Sequence, residues 1–215
     1  ERYDVLVADK NEDNNFNIWK PSEMSLKPLA ADMDDNGDYW VGDTYLGLLK
    51  VWGKGWSGEL IRPNGPGTPS VFDLDAGGTN VWVAAGGHNS NWGKLYMRDG
   101  VFSFVDDNWE THSYNNTPAF DTISDFVSVK VDPANHNITY VGTWGKGLIK
   151  FENGEIANIY DKTNSTLQPW IAADYLTLVS GLDYDSDGNL WVANSGSPDL
   201  LSVMLTDGSW KSFNL

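Results

Sequence analysis

Apolar residues in this chain alternate with polar ones over short stretches and never settle into a sustained 3.6-residue period. Strands are therefore expected almost throughout, and helix almost nowhere, with at most one short turn over 168–176. Alternating apolar runs at Ala30 to Met33, Val71 to Leu74, Val127 to Val131 and Leu178 to Leu182 read as first strands. An Asp-rich turn follows each run. Two of these turns hold Asn36-Gly37 and Asp187-Gly188, pairs whose tolerance of positive φ makes them strong signals for tight hairpins. After the turn comes a triplet of aromatic, Val and small residue: Trp40-Val41-Gly42, Trp82-Val83-Ala84, Tyr140-Val141-Gly142 and Trp191-Val192-Ala193. Third strands are expected at 46–52, 94–97, 147–151 and 200–205. Turns at Asp99-Gly100, Asn153-Gly154 and Asp207-Gly208 then lead into more polar outer strands at 109–114, 155–160 and 210–213.

The unit repeats. Its anchor aromatics Trp40, Trp82, Tyr140 and Trp191 are 42, 58 and 51 residues apart, close to the ~40–50 residues of a four-stranded propeller blade. The expected fold is all-β: a β-propeller with four-stranded antiparallel blades at 28–69, 70–120, 121–172 and 173–215. A partial blade at 1–27 precedes them, its strands at 3–8 and 16–19 reading as the third and fourth of a blade. Propellers close by radial repetition, so four blades and an orphan half read best as a segment of a larger ring. The chain begins at Glu1 without an initiator Met or signal peptide, which fits either a removed leader or a piece of a longer protein.

Composition narrows the function classes. Asp (23), Asn (20) and Gly (22) dominate, as a turn-rich chain requires. With 14 Lys+Arg against 30 Asp+Glu the net charge is −16, the wrong sign for tracking a phosphate backbone or for docking on anionic lipid by charge. No nucleic-acid partner is expected. The absence of cysteine excludes disulfides and thiolate metal sites, and no apolar run is long enough to span a membrane. There is no G-x-S-x-G elbow, no phosphate-binding loop and no paired-histidine zinc spacing among His88, His112 and His136. The chain reads as non-enzymatic.

The run Asp185-Ser186-Asp187-Gly188-Asn189-Leu190-Trp191-Val192 resembles the two-component-regulator propeller repeat, and Gly47-Leu48 and Gly147-Leu148 match its usual continuation. Two longer stretches, residues 131–167 and 84–114, are similar to blades of PorZ-like propeller proteins. That resemblance implies a cell-surface component of the type IX secretion system of Bacteroidetes, acting with a sortase-like partner and associated with anionic lipopolysaccharide. This chain lacks the sorting domain and at least one full propeller of that family's pattern, so roles residing there do not carry over. The expected partners are envelope proteins and an anionic surface polysaccharide, and the expected location is extracytoplasmic, at the outer membrane, cell surface or periplasm of a Gram-negative bacterium. The repeat also occurs in periplasmic glycan-sensing domains of hybrid two-component regulators, which is the alternative reading. If the segment leaves an open edge, its exposed strands invite a dimer.

Three places carry candidate chemistry. Trp-Gly-Lys occurs at Trp52-Gly53-Lys54, Trp92-Gly93-Lys94 and Trp144-Gly145-Lys146. In the last two it falls between second and third strands, where an exposed indole beside an ammonium suits a sugar ring with an anionic substituent; the competing reading is Trp packed between blades. The insertion from Gly86 to Trp92, with His88 and Asn89, is the best single location for a ligand contact. Asp183, Asp185 and Asp187 supply the first half of a calcium loop, but Asn194 stands where its closing Glu belongs. Hairpin capping by the aspartates is the competing account, and no cofactor is expected beyond such a structural calcium.

Overall fold

The computed structural model describes residues 5–8, 15–20, 26–44, 46–53, 55–61 and 64–214. The chain divides into two compact units, residues 1–64 and 65–215.

In the first unit, β1 (Leu6–Ala8) and β2 (Asn15–Asn17) pair antiparallel, with Leu6 opposite Asn17. Then β3 (Pro28–Met33), β4 (Tyr39–Asp43), β5 (Gly47–Trp52) and β6 (Ser57–Ile61) form an antiparallel meander in chain order. Alternation along β4 and β5 places Val41, Leu49 and Val51 on one face. They are buried there with Ile18 and Leu26, against half-buried Val5, Val7 and Phe16. Tyr3, Asp4 and Lys54 lie outside the described residues.

The second unit holds three further meanders. The first comprises β7 (Asp73–Gly77), β8 (Asn80–Ala84), β9 (Val101–Val105) and β10 (Asn108–His112). A turn of 3-10 helix at Pro118–Thr122, unsignalled by the sequence pattern, leads to β11 (Phe126–Val131), β12 (Ile138–Gly145), β13 (Leu148–Glu152) and β14 (Glu155–Tyr160). The last meander is β15 (Thr177–Tyr184), β16 (Leu190–Ser195), β17 (Leu201–Met204) and β18 (Trp210–Phe213). β12 overruns its own sheet, setting Trp144 opposite Leu178 and Gly145 opposite Thr177, so the last two meanders are hydrogen-bonded together.

The anchor triplets lie on second strands, and in the second unit most of their residues fill the spaces between sheets. Trp82 and Ala84 face a cluster with Phe120, Phe126, Val141, Ile149 and Phe151, while Val83 joins Ala85 and Phe102 on the other face. Tyr140 and Leu148 pack in turn against Val179, Leu190 and Val192. Each fully buried Phe contributes about 1.5–3 kcal/mol. The first strands are tied by side chains. Asp73 and Asp75 accept hydrogen bonds from the amides of Val129 (3.0 Å) and Val131 (2.8 Å), satisfying an edge of β11 that has no strand partner. The Lys130 ammonium reaches Asp75 (3.7 Å) and Asp183 (3.1 Å) on the flanking first strands.

The second repeat departs from its expected strand limits. Its first strand starts at Asp73, because the hairpin is the two-residue Gly78-Thr79 link between Gly77 and Asn80. Residues 94–97 are not its third strand. The carboxylate of Asp125 takes the amides of Tyr96 (3.0 Å) and Met97 (2.8 Å) in place of a ladder partner. The third strand is β9, and the turn before the fourth is Asp106-Asp107, both at positive φ. Asp99-Gly100 therefore precedes the third strand.

Candidate functional site

In a four-stranded meander the loop between strands two and three and the link to the next sheet emerge at one end, and the Asp-rich hairpins at the other. The loops at 85–100, 145–147, 161–176 and 196–200 all belong to the first end. Three tryptophans meet there.

The 85–100 loop is shaped by Asn89. Its side-chain oxygen accepts the amides of Asn91 (2.9 Å) and Gly93 (2.8 Å), and His88 forms a bridge with Lys94 across the turn. This holds Trp92 at φ 63, a left-handed conformation that is costly for a bulky side chain. The strained turn presents the Trp92 indole 64% exposed. Its ring stacks on His88 at 4.5 Å between centroids and lies 6.0 Å from Trp144. Trp144, at the end of β12, is only 2% exposed, and its indole N–H donates to the Trp92 carbonyl (2.8 Å). Trp170 comes from the 161–176 loop, where its amide donates to the Leu176 carbonyl (2.7 Å). It packs against Gly196, at φ +69, where any Cβ would run into the indole.

Trp92, Trp144 and Trp170 wall a cleft of about 380 Å³ together with Leu176 and Leu178, and Asn91, Gly93, Lys94, Ser195 and Gly196 complete it. A second depression of about 390 Å³ shares Trp92, Trp144 and Ser195 and extends to Phe72, His88 and Ser180. Of the residues singled out in the sequence, His88, Trp92, Lys94 and Trp144 line one or both, Asn89 shapes the turn, and Lys146 lines neither but follows Gly145 at the end of β12. Trp170, Leu176, Leu178, Ser195 and Gly196 were not singled out. Their one sequence signal is the non-periodic apolar stretch Trp170-Ile171 to Tyr175-Leu176 in a loop.

The two lysines differ. The Lys94 side chain is largely buried, with its ammonium 3.7 Å from the fully buried carboxylate of Asp125. Burial pushes its pKa below the ordinary lysine value, with Asp125 pulling it upward and Lys146 adding repulsion. Lys94 is thus already paired inside the site. Lys146 is exposed beside Gly145, at whose α-carbon the Lys94 ammonium lies: a Cβ there would stand 2.6 Å from Nζ.

Asp183, Asp185 and Asp187 do not converge. Asp183 turns to Lys130, whose ammonium holds the carboxyl pKa below its usual value. One Asp185 oxygen accepts the amides of Asp187 (3.0 Å) and Asn189 (2.9 Å), and the other accepts the Asn189 side chain (2.9 Å) and the Trp191 indole N–H (2.8 Å). The lone pairs that a cation would need are spent on the hairpin. Among the described residues, no group of three or more His, Asp or Glu is placed to hold a metal ion. A larger, polar cleft of about 550 Å³ lies beside His112, flanked by Glu110 and Glu155. Burial lowers the His112 pKa, which the two glutamates oppose.

No helix among the described residues is long and apolar enough to cross a membrane. No family model matches the sequence, and comparison with curated proteins gives no match either. Among solved structures the chain is similar to PorZ of Porphyromonas gingivalis, described as an essential bacterial surface component of the type-IX secretion system. The TM-score is 0.66 at 18% identity, over 94% of this chain and 28% of that one. It is also similar, at TM-score 0.43, to the extracellular domain of a proposed hybrid two-component system of B. thetaiotaomicron, at 13% identity over 93% of this chain and 26% of that one. The chain spans little more than a quarter of the length of either. At such identity the PorZ likeness speaks to fold alone, and the successive four-stranded meanders are those of a β-propeller.

Proposed function

We propose that this chain is a non-catalytic binding module displayed outside a bacterial cell, part of a PorZ-like surface component that works by holding partners. The observation that carries this reading is the convergence of Trp92, Trp144 and Trp170, from two separate loops and the end of β12, on one apolar cleft. A rigid propeller presenting aromatic side chains from its loops is built to bind. The backbone strain at Trp92 supports the same role, since an exposed indole in a costly conformation is what a binding surface retains. The surface address is supported by the blade resemblance and by the fold shared with PorZ. A net charge of −16 keeps such a module soluble and off anionic surfaces it is not meant to bind.

Peptide mapping of the native polypeptide, from intact and protease-shaved cells, tests the address. Loss of these peptides on shaving is the expected result. Peptides that resist shaving and continue into a membrane span and a kinase would favour a periplasmic sensor instead. The binding role is tested in the same cells with Trp92→Ala and Trp170→Ala. The variant protein should remain displayed but lose its crosslinks to envelope partners. Cleavage of a polysaccharide by the purified protein at enzyme-like rates would overturn the non-catalytic reading.

A further inference from the structure

We infer that the occupant of the tryptophan cleft is an extended polypeptide segment that inserts a bulky apolar side chain and sets a neighbouring carboxylate against Lys146. This rests on the cleft being the recognition site. A sugar ring needs hydrogen-bond partners around its edge as well as an aromatic platform, because hydroxyls stripped of water and left unpaired are costly. Of the polar side chains lining the cleft, Asn91 is left to a ligand, and the others are largely committed elsewhere. The Trp144 indole N–H is held by the Trp92 carbonyl (2.8 Å), the Ser195 hydroxyl donates to Ser180 (2.7 Å), and Lys94 faces Asp125. The floor offers chiefly apolar surface, which suits an aliphatic or aromatic side chain.

The surroundings agree with a protein partner. The loops that carry Trp92 and Trp170 also carry Tyr96, Ile171 and Tyr175, each more than 70% exposed. Exposed Trp and Tyr collected on one rim are characteristic of protein-docking surfaces. Tyr96, like Trp92, sits at positive φ (59°), and the Asp125 carboxylate ties its amide and that of Met97, which reduces the ordering a ligand must impose. The second depression, behind the Trp92–Trp144 wall and reaching Phe72 and His88, gives an extended segment a place for a second side chain. Charge fixes the flanking group. Lys146 and Lys94 repel one another, and the one carboxylate paired with Lys94 is buried beneath it. Asp161 also acts on Lys146 from the linking loop, but Lys146 makes no ion pair among the described residues, so its ammonium is open to an incoming carboxylate, which relieves its repulsion with Lys94.

Fluorescence anisotropy with short labelled peptides of Gly and Ser tests this, each carrying one central Phe, Leu or Ala and an Asp or Lys two positions away. The Phe and Leu peptides with Asp should bind the intact chain, and replacing the anchor by Ala should weaken binding by about tenfold or more, as for a hot-spot side chain. Trp92→Ala should weaken it similarly while leaving the thermal melt unchanged, since that indole is mostly exposed. Lys146→Glu should invert the preference, favouring Lys-flanked peptides over Asp-flanked ones. A trigalacturonate probe runs alongside. If no peptide binds at about 1 mM, near the weakest affinity such assays read, and trigalacturonate binds in a Trp92-dependent way, the occupant is a glycan; the peptide inference falls while the cleft stands. If neither probe binds, or Trp92→Ala and Trp170→Ala change nothing, the cleft reading falls with it.

Discussion

At the scale of single residues, the first and last repeats are each written by one aspartate and one tryptophan. Asp34 and Asp185 each lie six residues before an anchor Trp. Each accepts turn amides on one carboxylate oxygen and the indole N–H of Trp40 (2.9 Å) or Trp191 (2.8 Å) on the other. The capping of the turn amides was legible in the sequence because it is local; the indole bond was not, since nothing in the spacing alone says which group the second oxygen takes. Trp82 shows what local reading misses. Its hairpin is shorter, Asp75 turns away to the Val131 amide, and the buried Trp82 indole N–H has no acceptor among the described residues. The ring is instead sealed against Phe151 at 4.9 Å and stacked on His112 at 5.9 Å. Asp185 also gives a pH prediction. Hydrogen bonds from Asn189 and Trp191 lower its pKa to about 2. A carboxyl depressed on folding stabilises the native state above its unfolded pKa and loses that contribution as pH falls through the folded one. Asp185→Ala should therefore melt below the unsubstituted protein at pH 7, and the gap should close between about pH 4 and pH 2. Carboxyl-carbon NMR titration would locate the midpoint directly. A gap that persists at pH 2 would mean that the carboxylate's charge is not what holds the turn.

At the scale of elements, the Gly-Leu step of the repeat has a steric cause. Gly47, Gly100 and Gly147 each begin or immediately precede a third strand at positive φ (86°, 92° and 77°). At Gly100 and Gly147 a Cβ would run into a backbone carbonyl of the outer strand's end, that of His112 or Tyr160; at Gly47 the nearest carbonyl, Ile61, is 4.0 Å away. Gly147→Ala should thus cost about 3 kcal/mol, strain and collision together, and Gly47→Ala about 1 kcal/mol from strain alone. Equilibrium denaturation of the two variants checks the ordering, and equal costs would show that the outer strand simply shifts aside. The same glycines explain a misreading. Gly100 sits where Gly147 sits, so Asp99-Gly100 leads into the third strand rather than out of it. The alternation of Leu95 and Met97 imitates a strand, but the group that takes their neighbourhood's amides is Asp125, 28 residues further on. No local pattern signals a long-range side-chain acceptor, so this stretch was not legible.

At the scale of the molecule, the repeat and the meander order were legible because each blade is a local unit with its own turns. The cleft was legible only in part. Trp92 and Trp144 recur in a repeated tripeptide, whereas Trp170 lies in a linking loop with no counterpart in the repeat, and only the up-and-down order of strands brings it to the same end. Every residue of the cleft belongs to the second unit, and each buried cluster falls wholly within one unit, the first around Val41 and Leu49, the others beyond residue 65. Three meanders of this length can bury about 70% of their extended surface. Residues 65–215 should therefore fold without residues 1–64, melt in one cooperative transition and keep the cleft intact. The Trp144 indole N–H reports on this, since it is buried and bonded to the Trp92 carbonyl. In the isolated unit it should exchange with solvent as slowly as in the full chain, while the exposed Trp92 indole N–H exchanges quickly in both. Fast exchange at Trp144 in the isolated unit alone would mean that the loop bearing Trp92 needs the first unit to hold its strained turn. The recognition surface would then belong to the whole chain.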